Sequence, residues 1–162
     1  MDFQSMTQIA SGVPSDWIII GSIAILITIF SMLRGTSIAT ALSLSLPVAV
    51  TLFSVAPNAF LLGSIVRQFH AGLPQALVFL AIEIILLILF IRATMSFSES
   101  SSPLAGILVG VSTTVVLVCI WMQVGSLASI WHFSSQTQNI FGSSYELWWL
   151  IVAYIGIAFA RS

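Results

Sequence analysis

The sequence predicts an all-α integral membrane protein, a bundle of four or five transmembrane helices with one or two short interfacial amphipathic helices. Three observations carry this prediction. The 162 residues are 59% hydrophobic and only 6% charged, with mean hydropathy +1.14, whereas a soluble globule carries about 25% charged residues to wet its surface. Apolar runs recur at 17–33, 37–56, 74–92 and 103–122, with a shorter one at 145–160. A helix rising about 1.5 Å per residue needs about 20 residues to cross a hydrocarbon core of about 30 Å. Finally, three of the four arginines (Arg34, Arg92 and Arg161) stand at the ends of these runs. Residues 1–162 read as a single polytopic membrane domain.

The same composition narrows the function classes. The chain has no lysine, so the clustered cations of a nucleic-acid footprint are missing. A formal net charge of −1 offers no long-range steering. Cys119, the one cysteine, lies inside an apolar run; it excludes an intrachain disulfide or a CxxC site and reads as a small apolar side chain.

Residues 1–14 lack the basic start of a secretory signal and read as a short polar arm. Pro14 and Ser15 stop the arm, and Ser15 or Asp16 is expected to cap the first helix. Trp17 suits the headgroup level. The span 17–33 ends at Arg34; Gly35 and Thr36 reverse the chain, and 37–56 returns. This hairpin, 16–57, is expected to be the unit around which the chain is organised. Arg34 places the first turn on the cytoplasmic side and the N-terminus outside.

On the second span Ser37, Ala41, Ser45 and Ala49 recur every four residues. Such a small-residue stripe lets helices approach closely in lipid. Pro47 deletes one backbone N–H bond and predicts a kink. That kink is either a functional hinge or a proline simply tolerated in a packed membrane helix.

Residues 60–71 are too short and too polar to cross. Leu61, Leu62, Ile65, Val66 and Phe69 face one way and Ser64, Arg67 and Gln68 the other, an interfacial amphipathic helix. His70 is either a pH sensor or an incidental exposed histidine. The third span, 74–92, carries Glu83 near its middle. An ionised carboxylate at mid-bilayer is costly, so Glu83 is expected to be protonated, paired or in a wet cavity. Its functional reading is a proton or cation site. Its structural reading is a carboxyl bonded to a neighbouring helix, with Ser43, Ser45, Thr113 and Thr114 as partners to consider.

A polar inside loop follows, with Glu99. Ser102-Pro103 is a strong helix start, a capping hydroxyl before a proline in the first turn. The fourth span, 103–122, carries Gly106, Gly110 and Thr114 at four-residue spacing, a GxxxG face for contact within the bundle or between copies. Val124, Leu127, Ile130 and Trp131 form an apolar stripe against Gln123, Ser126, Ser129 and His132, which predicts a second outer interfacial helix at 123–132; 134–144 reads as a polar outer loop. The last run, 145–160, is short for a span and crosses only if the bilayer thins slightly. Counting it gives five spans with the C-terminus inside; four spans with a surface-lying tail is the alternative.

Asp16, the run Met32-Leu33-Arg34-Gly35 and the run Ala41-Leu42-Ser43-Leu44 together resemble the start of the colicin V production protein family. The resemblance covers about the first quarter of the chain. It implies a small bacterial inner-membrane protein of about four spans, with Asp16, Arg34 and Gly35 as the turn motif. Residues 37–40, Ser-Ile-Ala-Thr, depart from that family's charged positions, and the apolar C-terminal segment is additional.

No residue pattern points to catalysis. His70 and His132 lack an HExxH or a neighbouring carboxylate, no serine sits in GxSxG, and no Gly-rich phosphate loop is present; no cofactor or metal is expected. Two function classes remain. One is a non-catalytic membrane subunit or assembly and export factor, contacting other membrane subunits or itself within the bilayer, as the resemblance also implies. The other is a small channel or proton-coupled carrier using Glu83. A holin-like lysis protein is a weaker third, because the lysine-rich tail is missing.

Overall fold

A computed structural model of the chain describes residues 15–58, 73–94, 102–142 and 144–160. The expected N-terminal arm, the interfacial helix at 60–71 with Arg67 and His70, most of the polar loop around Glu99, and Arg161 lie outside the described residues. The described residues form helices and no strand. The long helices are α1 (Ser15–Arg34), α2 (Thr36–Val55, continued by a 3-10 turn, Ala56–Asn58), α3 (Leu73–Thr94) and α4 (Pro103–Gln123). Short ones follow: α5 (Gly125–Ala128), α6 (Ser135–Phe141) and α7 (Glu146–Phe159). Among the described residues four helices are long and apolar enough to cross a membrane, or five spans result if α6 and α7, bent by 66°, form one broken span. The chain is a multi-pass membrane protein of the all-α class.

Each long helix has a local cause. Nothing in α1 or α3 breaks a helix interior, and the bilayer forces backbone groups to bond within their own segment. Between α1 and α2 the chain turns in a single residue, Gly35, at φ 87° and ψ 162°. That conformation is open to glycine because it lacks Cβ. The Ser102 hydroxyl accepts the Ala105 N–H at 3.2 Å and Pro103 opens α4, as the sequence predicts.

The organising element is α4, a correction to the expectation that the 16–57 hairpin organises the chain. Of the four long helices it is the most enclosed, with 61% of its membrane window buried against 39% for α2, 17% for α3 and 11% for α1. It packs on α1, α2 and α7, and α3 packs on the far flank of α2. The physical reason is side-chain size. Gly106, Gly110, Ser112, Thr113 and Thr114 give α4 several narrow faces, whereas α1 offers bulky Ile, Leu and Phe, many of them left exposed. Exposed apolar faces such as Ile25, Leu26 and Leu33 on α1 and Leu80, Ile85 and Leu89 on α3 meet lipid.

The segment after α4 also differs from expectation. Instead of an interfacial helix at 123–132, Val124 turns extended (φ −86°, ψ 100°) and only Gly125–Ala128 is helical. Val124 and Leu127, both on the expected apolar face, are drawn into the core beside Ala76, Phe79 and Ile120. The expected polar loop at 134–144 contains the two-turn helix α6, whose inner face buries Thr137 and Phe141.

Candidate functional site

Glu83 and the two packing motifs can be placed first. The stripe on α2 faces inward: Ala41, Ser45 and Ala49 are fully buried and Ser37 is half-buried. Ala49 joins Ala76 and Phe79 of α3 and Val116 and Ile120 of α4 in the largest apolar cluster. Glu83, 9% exposed, reaches back from α3 to this stripe, its Oε1 at 2.6 Å from Ser45 Oγ. Ser45 Oγ also lies 3.0 Å from the carbonyl of Leu42. A hydroxyl has one proton and two acceptor sites. Both contacts are satisfied together when the carboxyl carries a proton and donates to Ser45, which donates to Leu42. The second oxygen, Oε2, is buried and unpartnered among the described residues.

The GxxxG face meets α1. A Cβ on Gly106 would lie 2.9 Å from Met32 Cγ, and one on Gly110 only 2.6 Å from Thr28 Cα. Thr114, two turns beyond Gly106, is buried and returns its hydroxyl to the Gly110 carbonyl at 2.9 Å. The face is therefore used for contact within the chain. Thr113, one residue away, donates across to the Ala39 carbonyl of α2 at 3.2 Å.

Pro47 has a visible consequence. Without an N–H it leaves the carbonyl four residues earlier, that of Ser43, without its helical donor. The Tyr154 hydroxyl of α7 donates to that carbonyl at 2.8 Å. The proline thus creates an acceptor inside the bundle, and α7 supplies the donor. Tyr154 was not singled out from sequence; an aromatic hydroxyl within an apolar run was the available signal.

Asp16 is not a helix cap. It sits inside the first turn of α1, is 3% exposed, and turns its carboxylate toward the other end of the chain. Its Oδ2 accepts the backbone N–H of Ser134 and the hydroxyl of Thr137, the latter at 3.3 Å. These bonds pin the start of α6 against α1, and Phe141 packs between Trp17 and Trp149 with tilted rings, centroids 6.4 Å and 5.0 Å away. Arg34 and Gly35 close α1 and make the turn at the opposite end. The turn motif is therefore not one site: Asp16 makes its tertiary polar contacts at one end of the bundle, and the Arg34-Gly35 turn lies at the other.

Beside the Asp16 knot lies a partly open cavity of about 620 Å³. Trp121, Trp131, Phe133 and Tyr145 give it aromatic walls, and His132, Gln138, Asn139 and Ser144 contribute polar groups. Its walls are braced: Trp121 Nε1 donates to the Trp131 carbonyl at 3.3 Å and Gln138 Nε2 to the Phe133 carbonyl at 2.8 Å. No family model, curated protein or solved structure matches the chain. Function must therefore be argued from these sites. Among the described residues no group of three or more His, Cys, Asp or Glu is placed to hold a metal ion. Cys119 is fully buried in a cluster with Ile20, Val118 and Phe141, where it fills space.

Proposed function

We propose that this chain is a non-catalytic multi-pass subunit or assembly and export factor of the bacterial inner membrane, with its N-terminus outside and its C-terminus cytoplasmic. The observation that carries the reading is how the interior hydroxyls are spent. Thr40 and Ser43 bond to carbonyls of their own helix at 2.8 Å each, Thr114 does so at 2.9 Å and Thr113 bridges to Ala39. These hydroxyls are satisfied by carbonyls inside the bundle and are not free to line a path for a solute, and the Thr113 bond fastens α4 to α2. The packing leaves α1 and α3 with most of their surface outward, available to a protein partner or a second copy as well as to lipid. The resemblance of the first quarter to colicin V production proteins supports an export-related role. Orientation follows from Arg92 at the same end of the bundle as Arg34, the end that favours the cytoplasm.

A proton-coupled channel or carrier is the second reading, and the unpartnered Oε2 of Glu83 is what favours it. Affinity purification from native membranes in a mild detergent, with mass spectrometry, separates the two. A stoichiometric partner lost on substituting outward residues of α1 or α3 supports the subunit reading. Recovery without a partner, together with proton flux in liposomes that Glu83→Gln abolishes, overturns it in favour of the carrier.

A further inference from the structure

We propose that the cavity at the Asp16 end of the bundle binds a neutral saccharide, either a free sugar or the head group of a glycolipid. Its volume of about 620 Å³ falls within the range of about 300–1,000 Å³ usual for small-molecule sites. Chemistry then selects the ligand. The described residues that line it include no Arg, Lys, Asp or Glu, and one imidazole, His132, so a phosphate finds no guanidinium or ammonium clamp and a cation no carboxylate.

Two kinds of surface remain, and a sugar uses both. Trp131 and Tyr145 keep 40% and 57% of their surface exposed and can present ring faces to the apolar C–H face of a pyranose. Gln138 and Asn139 are exposed amides on α6, each carrying donors and an acceptor. A sugar hydroxyl both donates and accepts, so an amide matches it in either sense. A quaternary ammonium group needs aromatic faces alone and would leave the amides without a role.

Position and rigidity agree with this ligand. The cavity lies where α4 ends and α7 begins, lined by Trp121, Trp131 and Tyr145, and aromatic side chains of this kind mark the level of the lipid head groups. Its walls are set in advance by the Trp121–Trp131 and Gln138–Phe133 bonds, and α6 is held by Asp16. A site that is already ordered loses less on binding.

The test uses the full chain, purified in a detergent without a sugar head group and placed in nanodiscs of phosphatidylethanolamine and phosphatidylglycerol. Tryptophan fluorescence is titrated with maltose in one arm; in the other, discs containing diglucosyl diacylglycerol are compared with discs lacking it, with bound lipid read by native mass spectrometry. The expected result is a saturable response in at least one arm. A maltose response points to a soluble sugar; a response to the glycolipid alone points to a head group. Trp131→Leu and Asn139→Ala, both at exposed positions outside the long helices, each weaken binding about fivefold or more, the effect of one neutral hydrogen bond or its equivalent. Circular dichroism confirms that both variants are folded. Three results overturn the proposal: no saturable response in either arm, phosphocholine binding that maltose does not displace, or both variants binding like the unmodified chain.

Discussion

The pairing of Pro47 with Tyr154 allows a test that isolates one hydrogen bond in the bundle. The Ser43 carbonyl lost its helical donor to Pro47 and gained the Tyr154 hydroxyl at 2.8 Å. Tyr154→Phe keeps the ring and removes only that donor. In water an orphaned carbonyl would be rehydrated, but within a bilayer it stays unpaired. The expected loss is therefore about 1–3 kcal/mol, the desolvation penalty of an unsatisfied buried group, and not just the smaller net worth of a typical bond. Pro47→Ala restores an N–H to the ladder and gives Ser43 its helical partner again. In that background Tyr154→Phe removes a donor whose acceptor is already satisfied, and its effect should fall below about 0.5 kcal/mol. The coupling in the double-mutant cycle is the difference between the two effects, about 0.5–3 kcal/mol. It is independent of whatever Pro47→Ala does alone. Reversible unfolding in bicelles, followed by steric trapping or SDS titration, measures all four corners. Equal effects of Tyr154→Phe in the two backgrounds would refute the assignment of the hydroxyl to the carbonyl that proline frees.

The glycine and Ser45 contacts are open to the same unfolding assay, and Asp16 and Cys119 to chemical probes. Gly110→Ala should destabilise by about 1–3 kcal/mol, the usual range for overpacking, because its Cβ meets the Thr28 backbone at 2.6 Å. Gly106→Ala should do less, since the flexible Met32 side chain can yield, and Gly21→Ala, with nothing within 4 Å, should be neutral or slightly stabilising; a reversed order would count against the α1–α4 contact. Ser45→Ala should cost about 1–3 kcal/mol by leaving Glu83 without its partner, and adding Glu83→Leu should recover most of that loss. Asp16→Ala should release the start of α6, read as faster hydrogen exchange at the Ser134 amide; unchanged exchange there would show that the carboxylate does not hold it. Cys119, fully buried, should react with a membrane-permeant maleimide only after unfolding.

What could be read from the sequence, and what could not, divides by the range over which each constraint acts. The bilayer acts on every residue of a span, so the four long helices are written in local composition and their observed bounds lie close to those expected. The Ser102-Pro103 start is equally local. The Glu83 contact was half legible: a lone mid-membrane carboxyl demands a partner, and four hydroxyls were within consideration, but choosing Ser45 required the packing of α3 on α2. Asp16 was misread for a related reason. An acid at a helix start has a local use as a cap, and nothing nearby hints that its partners lie 118 and 121 residues away. The α6 helix was hidden by its polarity, since only Thr137 and Phe141 of its seven residues are buried. The unforeseen contacts share a physical logic. Lipid supplies no hydrophobic drive to dock one apolar helix on another, so the short C-terminal elements need directional bonds. Asp16 holds α6, and the carbonyl that Pro47 exposes holds α7. Those bonds also keep the cavity walls between α4, α6 and α7 in place, so the residues that looked like local punctuation in the sequence, a cap and a kink, are the ones that fasten the C-terminal elements to the bundle.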